Sequence, residues 1–576
     1  MKKLLKYLRH YKAQAVLAPL FKLLEAAFEL FVPLVVSAII NEIDAGNGSV
    51  SYVIYACLIL VALGVVGLIS AVAAQYFAAK AAVGFSKELR HDLFGKMQSL
   101  SYSQIDKLGT GRMITRMTSD VNQIQSGVNL VLRLFMRSPF IVFGAMIMAF
   151  TISTLAGGVF AITIAVLCAV VFGIMLVSIP LYKKVQSNLD EVTTSTRETL
   201  TGARVLRAFC KEEDEVASYN KKNAELTKSQ LFVGKISALM NPLTYAVINA
   251  AIIALMYVGA IKFNAGALDR GQVVALYNYM SQILIELIKL ANLIITVTKS
   301  FACAGRINEI LEMQPSLIYG ADSAVEEVSD GHFIEFKNVA LNYGNAAINA
   351  LENISFTVER GQTVGIIGGT GSGKTSLVNL LPHFYDAVTG EVLIDGVNVN
   401  AIGDEILRDK CGIVPQRAVL FEGTVRKNMQ WGAESATDEE IMSAIETAQA
   451  LDVIKAKDGG LDEKVEQGGK NFSGGQRQRL TIARALVKKP EILILDDSAS
   501  ALDYATDANL RKSLKGLPYD PTVFIVSQRT SSIMHADKII VLDGGRAVGL
   551  GTHDELLKTC DIYREIHFSQ FEKEGA

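Results

Sequence analysis

The residues best suited to chemistry lie in the second half of the chain, in a run of glycines that ends in Lys-Thr. Glycine lets backbone N–H groups converge on phosphate oxygens, and a predicted strand and helix flank the run. Lys374 can reach the β- and γ-phosphates of a nucleotide, and the Thr375 hydroxyl can ligate Mg²⁺. The run predicts an ATP-binding loop formed by Gly368, Gly369, Thr370, Gly371, Ser372, Gly373, Lys374, Thr375 and Ser376.

A second group follows further along the chain. NFSGGQ (471–476) precedes ILILDD (492–497), which predicts a buried strand ending in two carboxylates. Asp496 is expected to join Thr375 in holding the Mg²⁺ shell. In this order, the ATP-binding loop, NFSGGQ and ILILDD predict an ATP-driven machine.

The elements that position these residues change character along the 576-residue chain. Apolar residues concentrate before about residue 300, in stretches of the roughly 20 residues that a membrane span needs. After 330, β-rich and helical runs alternate, as in an α/β P-loop domain. We expect a transmembrane domain (1–300), a linker (301–330) and a nucleotide-binding domain (331–576). The six predicted spans are 15–40, 53–79, 138–155, 158–181, 239–261 and 273–298.

Charge sets the expected orientation. The basic N-terminus, MKKLLKYLRHYK, and the basic residues of the two long connections, about 80–137 and 182–238, favour a cytoplasmic location for these parts. Six spans then place the nucleotide domain in the cytoplasm as well. The net charge of −2 gives a nucleic-acid partner no electrostatic support.

Five charged residues fall within predicted spans: Lys22, Glu25, Glu29, Glu286 and Lys289. Membrane charge is costly and usually faces a bundle interior or a wet cavity, which would suit a substrate path. The i,i+3 spacing of Lys22 with Glu25, and of Glu286 with Lys289, equally suits structural ion pairs. A position near the membrane edge is a third reading.

On these motifs, the whole chain resembles the ATP-binding cassette (ABC) exporters, in the arrangement that joins one six-helix all-α transmembrane domain with long intracellular helices to one cassette. The resemblance implies that Tyr343 stacks on adenine and that Gln416 senses Mg²⁺ and the γ-phosphate. The resemblance also assigns Asp503 to the family's D-loop. The family's signature is matched by Ser473, Gly474, Gly475 and Gln476, with Phe472 in place of the usual leucine.

In this family two cassettes face each other, so that each ATP lies between one chain's P-loop and the other chain's signature. The segments 110–121 and 196–213 are similar to those that carry the family's intracellular coupling helices. They are less specific than the cassette motifs, and a plain amphipathic helix is the alternative.

Two departures from the family pattern fall on one ATP site. Asp497 stands where a catalytic glutamate is expected, and its carboxylate is retracted by about 1–1.5 Å, a shift that can cost around a hundredfold in rate. Gln528 stands in place of a histidine, and it can donate a hydrogen bond to the γ-phosphate but carries no positive charge. These changes predict a site that binds ATP and hydrolyses it weakly.

An intact signature beside an impaired P-loop site is expected if the partner is a different chain. The sequence therefore predicts an ABC-type ATPase with ATP and Mg²⁺ as cofactors, acting as the degenerate-site subunit of a heterodimeric multidrug exporter in a bacterial plasma membrane. The alternatives are a lipid or peptide exporter, a homodimer with two slow sites, and a regulatory subunit that transports nothing.

Overall fold

The computed structural model describes residues 2–44, 50–317, 319–320, 332–344 and 348–571. The chain forms two compact units. One contains Met1–Gln98 and Thr110–Met313, and the other contains Ser99–Gly109 and Gln314–Ala576. A short segment from the first third of the chain is therefore part of the same unit as the C-terminal half.

The first unit is helical. A 3-10 helix covers Lys2–Tyr11, and a π-helical turn covers Arg116–Asp120. The helices of the first 313 residues are α1 (Lys12–Asp44), α2 (Val50–Gln98), α3 (Tyr102–Leu108), α4 (Thr110–Thr115), α5 (Val121–Leu134), α6 (Arg137–Ile152), α7 (Thr154–Thr201), α8 (Ala203–Ala208), α9 (Glu212–Ala238), α10 (Met240–Asn264) and α11 (Arg270–Glu312), of which α3 belongs to the second unit.

Within the described residues, six helical stretches are long and apolar enough to cross a membrane, which confirms the predicted six-helix class. They are Leu4–Asp44, Val50–Gln98, Thr110–Ile152, Thr154–Thr201, Glu212–Asn264 and Arg270–Glu312. The α2 helix alone has 49 residues, or about 74 Å at 1.5 Å per residue, which far exceeds a bilayer's hydrocarbon core of about 30 Å. The prolines inside α1 and α7 are of a kind that membrane helices tolerate.

The connections refine two predicted boundaries. The third span ends at Ile152 rather than at 155, because Ser153 adopts an extended conformation between α6 and α7. The α11 helix continues to Glu312, so the first part of the predicted linker 301–330 is helical. Residues 318 and 321–330 of that linker lie outside the described residues.

The second unit contains two main sheets. Its strands are β1 (Ile334–Leu341), β2 (Leu351–Val358), β3 (Thr363–Gly368), β4 (Thr389–Ile394), β5 (Val397–Asn398), β6 (Cys411–Val414), β7 (Gly423–Thr424), β8 (Lys464–Val465), β9 (Ile492–Asp496), β10 (Thr522–Val526), β11 (Lys538–Asp543) and β12 (Arg546–Gly551). The antiparallel sheet has the order β2-β1-β4-β5, and the larger sheet has the order β12-β11-β3-β10-β9-β6.

The larger sheet gathers the predicted site at one edge. Strands β11, β3, β10, β9 and β6 run parallel, so their carboxyl ends lie on the same side. The ATP-binding loop follows β3, the two carboxylates end β9, the Gln528 segment follows β10, and the Gln416 segment follows β6. Four sequence motifs are thus brought together by strand order alone.

The other helices of the second unit pack on the sheets or on one another, and buried aliphatic side chains form the core. They are α12 (Lys374–Val378), α13 (Asp404–Lys410), α14 (Val425–Met429), α15 (Asp438–Thr447), α16 (Leu451–Lys455), α17 (Gly474–Val487), α18 (Tyr504–Lys515), α19 (Thr530–Ile533), α20 (His553–Thr559) and α21 (Asp561–Gln570).

Candidate functional site

The ATP-binding loop is held in shape by its own lysine. The Lys374 ammonium donates to the backbone oxygens of Gly368 at 2.9 Å and Gly369 at 2.7 Å, and it is only 9% exposed. Burial lowers its pKa, an effect that an anionic phosphate would oppose. Gly373 has a φ of 97°, and a Cβ there would lie 2.8 Å from the Ala350 oxygen. Glycine is required at this position.

Thr375 and Asp496 form the oxygen-rich part of the site. The Thr375 hydroxyl lies 3.1 and 3.0 Å from the two carboxylate oxygens of Asp496. Burial, reinforced by the neighbouring Asp497 carboxylate, raises the pKa of Asp496. A hydroxyl and a carboxylate at this spacing fit the hard oxygen ligands that Mg²⁺ prefers.

Asp497 follows the strand in a left-handed backbone conformation, with a φ of 46°. Its backbone N–H donates to the Val526 oxygen at 3.0 Å, which ties it to the end of β10. The Gln416 side-chain amide donates to Asp497 Oδ2 at 3.3 Å. The structure thus brings Gln416, predicted as a Mg²⁺ and γ-phosphate sensor, to the carboxylate that replaces the expected glutamate.

The segment after β10 carries an exposed Gln528 and is held by its neighbours. The Arg529 guanidinium donates to the backbone oxygens of Leu502 at 3.2 Å and Ser500 at 3.3 Å. On the other side, the Gln570 side chain bonds to the backbone at Gln528 and Thr530. The Gln528 segment is therefore braced at its backbone.

Tyr343 lies beside the ATP-binding loop. Its hydroxyl donates to Ser376 Oγ at 2.9 Å, and its ring packs edge-on to Tyr385 with centroids 5.0 Å apart. The ring remains 39% exposed, so part of it is accessible to a flat ligand such as adenine. Tyr385 in turn donates to Asp106 of α3. These contacts all belong to the second unit.

The predicted signature residues begin α17. Ser473 caps this helix by accepting from the Gln476 N–H at 3.3 Å, while the Gln476 side chain accepts from the Ser473 N–H at 2.9 Å. Phe472 is 3% exposed and packs in the core, so the departure from leucine is absorbed there. The Asp503 carboxylate caps α18 by accepting from the Thr506 N–H at 2.8 Å, which lowers its pKa.

A charged cluster lies inside the helical unit. Arg137, which is not among the charged residues predicted within the spans, donates to Glu286 and to Glu29, both at 2.6 Å. The predicted i,i+3 pairs are present, since Lys22 contacts Glu25 at 2.5 Å and Lys289 contacts Glu286 at 2.7 Å. The side chains therefore form structural ion pairs, which is one of the alternatives that the sequence left open.

The charged cluster lies far from one end of each of its three helices. Glu29, Arg137 and Glu286 each lie about 15 residues from the ends of their helices at Asp44, Ile152 and Arg270. At 1.5 Å per residue this is about 23 Å, or roughly four helical turns. The charged residues therefore do not lie at those helix ends.

Three features, two in the second unit and one in the first, were not predicted from the sequence. They are the Tyr385–Asp106 contact, the Gln570 brace and Arg137. The segment that packs in the second unit is Ser99–Gly109, whereas the coupling segment expected from the sequence, 110–121, lies in the first unit. The available signal for the contact with α3 was the aromatic pair Phe384 and Tyr385, which follows the ATP-binding loop. The ring centroids of Phe384 and Tyr102 lie 4.3 Å apart.

Comparisons with known proteins agree with this architecture. The ABC transporter transmembrane region matches residues 16–287, and the ABC transporter family matches residues 351–500. An uncharacterized ABC transporter ATP-binding protein of Bacillus subtilis strain 168, YfiB, is 33% identical over 578 residues, covering all of both chains. An ATP-dependent lipid A-core flippase of Syntrophus aciditrophicus is 32% identical over 84% of this chain and 80% of its own length.

Among solved structures, a bacterial Atm1-family ABC exporter with ATP bound shares the fold. Its TM-score is 0.80 with 23% sequence identity, and the match covers 98% of this chain and 99% of that one. Six membrane-spanning helices, a cassette with its motifs at one sheet edge, and full-length relatives lead to one assignment. The chain belongs to the ABC transporters, with the fold of an ABC exporter, and is a multi-pass membrane protein that couples ATP hydrolysis to transport.

Proposed function

We propose that this chain is the degenerate-site subunit of a heterodimeric exporter of amphipathic small molecules. The observation that carries the proposal is the pairing of a shortened carboxylate, Asp497, with Gln528 in one site. Asp497 places its carboxylate about 1–1.5 Å short of the reach of glutamate, which weakens its action as a general base on water. Its Oδ2 also accepts from Gln416 at 3.3 Å, so a donor competes with a water for that oxygen.

The remaining residues of the site are suited to holding nucleotide. Lys374 would bind the β- and γ-phosphates, Tyr343 would pack against adenine, and Thr375 with Asp496 would hold Mg²⁺, with Gln416 as a further ligand. Bound Mg²⁺ supplies charge neutralisation at the phosphates. ATP kept at this site over several turnovers would hold two cassettes together.

The signature serves a second site. Ser473 and Gly474 are exposed at the start of the 14-residue α17, where a helix carries partial positive charge that favours a phosphate. We propose that this end completes the ATP site of a partner chain that has a glutamate and a histidine in place of Asp497 and Gln528. Hydrolysis there resets alternating access, in which cassette closure opens the membrane domain outward.

The test of this proposal is the composition of the complex. The chain is tagged, extracted from its native membrane in mild detergent, and the intact complex is weighed while each co-purifying polypeptide is identified. A second, different cassette chain at one-to-one is expected. Two identical copies would contradict the heterodimer and leave a symmetric exporter with two slow sites.

A lipid substrate is the second candidate, because a lipid A-core flippase is similar over most of the chain. The two candidates differ in what stimulates the protein. In reconstituted vesicles, a small-molecule exporter should accumulate an amphipathic dye with ATP and leave labelled lipid in its leaflet. ATP-dependent movement of labelled lipid alone would favour the flippase.

A further inference from the structure

The C-terminal helix α21 ends in a side chain that holds the Gln528 segment from outside. The Gln570 amide nitrogen donates to the Gln528 backbone oxygen at 2.7 Å, and its amide oxygen accepts from the Thr530 N–H at 2.9 Å. One planar amide thus satisfies an acceptor and a donor two residues apart. Only an amide side chain of this length offers both functions at once.

The helix that carries Gln570 is anchored in the domain core. Tyr563 of the same helix is fully buried, and its hydroxyl lies 2.7 Å from His553 Nδ1 of α20. The Gln528 segment is held on its other side by Arg529, which donates to the backbone of Ser500 and Leu502 in the D-loop region. The segment therefore lies between the D-loop region and α21, with its backbone fixed by both.

We propose that Gln570 is a positioning residue, which fixes the backbone at Gln528 so that the Gln528 side chain meets the γ-phosphate of ATP. This rests on the proposed function, in which Gln528 contacts the γ-phosphate. Gln570 itself does not touch the nucleotide. Its loss leaves the ADP-binding part of the site intact and weakens the preference of the site for ATP over ADP.

The test uses the full exporter complex and measures equilibrium binding of radiolabelled ATP and ADP with Mg²⁺. Binding that Lys374→Ala removes is assigned to this chain's P-loop. Gln570→Ala removes both hydrogen bonds, and Gln570→Glu keeps the acceptor for Thr530 while placing a carboxylate against the Gln528 oxygen. Both variants are expected to lower the ATP-to-ADP affinity ratio by about three- to tenfold, the worth of one neutral hydrogen bond.

Two further variants separate the possible causes. Ser569→Ala removes a hydroxyl that donates to Ile566 of its own helix, so it controls for damage to α21 and should leave the ratio unchanged. Gln528→Ala should lower the ratio at least as much as Gln570→Ala. If Gln528→Ala lowers the ratio and the Gln570 variants do not, the positioning role is wrong and the proposed function stands.

The other outcomes are equally decisive. An unchanged ratio in Gln528→Ala overturns the γ-phosphate contact and the positioning role with it. An equal loss of ATP and ADP affinity in Gln570→Ala means that Gln570 stabilises the domain as a whole, which also overturns the positioning role. A lowered melting temperature in Gln570→Ala with an unchanged ratio leads to the same conclusion.

Discussion

The Tyr385 hydroxyl donates a hydrogen bond of 2.9 Å to the carboxylate of Asp106. This bond joins α3, which lies in sequence between two membrane helices, to the cassette side of the ATP site. The Tyr385 ring meets Tyr343 edge-on, and Tyr343 bonds to Ser376 in the ATP-binding loop. Two aromatic rings therefore connect α3 to the predicted adenine position.

Tyr385→Phe should uncouple these two parts while sparing nucleotide binding. The variant keeps the ring against Tyr343 and loses the bond to Asp106, so ATP affinity is retained and the transport obtained per ATP falls. Burial and the bond to Asp106 raise the pKa of Tyr385, so the wild-type hydroxyl remains a donor at physiological pH. Substrate flux and ATPase activity are measured on the same vesicles.

The matched control is Tyr319→Phe, which removes a cassette hydroxyl that accepts from Arg408. It should leave the ratio of flux to ATPase unchanged. If Tyr385→Phe lowers flux and ATPase in the same proportion, the bond to Asp106 has no role in coupling.

Restoring the expected catalytic residues should speed hydrolysis at this chain's own site. Asp497→Glu returns the carboxylate to its full reach, and Gln528→His returns a group that can carry positive charge. Each is expected to raise single-turnover hydrolysis, with up to about a hundredfold for Asp497→Glu. The assay uses a Ser473→Ala background, in which the partner-completed site is impaired.

Asp543→Glu is the control for side-chain lengthening, because Asp543 ends strand β11 of the same sheet and is exposed. It should change nothing. If Asp497→Glu hydrolyses ATP no faster than the parent, the short carboxylate does not limit the reaction and the site is slow for another reason.

The sequence predicted those parts of the site that depend on local pattern. The glycine run, the two carboxylates after β9 and the six apolar stretches each carry their signal within about 20 residues. Parallel strand order then brings the motifs together, as the P-loop fold requires. For this reason the sequence was sufficient to predict that Thr375 and Asp496 lie together.

The contacts that escaped prediction join residues far apart in the chain. Arg137 lies at the start of α6, just before an uncharged run, and it becomes the centre of a cluster only when α1 and α11 pack beside it. Asp106 and Tyr385 are 279 positions apart, and Gln570 reaches Gln528 from the last described helix. Neither periodicity nor motif spacing encodes such pairings.

Loss of Lys374 and loss of Ser473 should affect the two ATP sites differently. Lys374→Ala removes the phosphate-binding ammonium from this chain's slow site, so total ATPase activity falls modestly. Ser473→Ala removes the cap of α17, which is proposed to complete the partner's faster site, so total activity falls more. Equal losses in steady-state ATPase activity would count against this division of labour.

The charge of Asp496 should cost stability when no nucleotide is bound. Burial raises its pKa above the usual value of an aspartate, so protonation is favoured more strongly in the folded state than in the unfolded state. Stability from this group is full below the unfolded pKa and is lost as the pH rises through the folded pKa. Asp496→Asn should therefore raise the melting temperature of the nucleotide-free protein at neutral pH.

The advantage of Asp496→Asn should shrink as the pH is lowered, in melting curves recorded between about pH 8 and pH 4.5. Asp543→Asn, which changes an exposed carboxylate, serves as the control and should show no such trend. An advantage that is constant with pH would mean that the asparagine acts through packing rather than through charge.

The buried charges around Arg137 should behave as one unit. Glu286→Gln leaves Arg137 without its most buried partner, and breaking such a pair costs about 3–5 kcal/mol. Arg137→Met should be at least as damaging, because it leaves two carboxylates facing each other. The double variant should be more stable than the sum of the single losses predicts, since Arg137 and Glu286 are removed together, although Glu29 and the more exposed Lys289 lose these partners.

The half-life of the folded protein in detergent, measured with flux in vesicles, separates structure from transport. Lys289→Met, at the 40% exposed end of the cluster, should change the half-life little. If the losses in the single variants simply add in the double variant, the pairs do not stabilise one another. If Glu286→Gln keeps its half-life and loses flux, the carboxylate acts on the transported molecule, and the cluster is part of the substrate path after all.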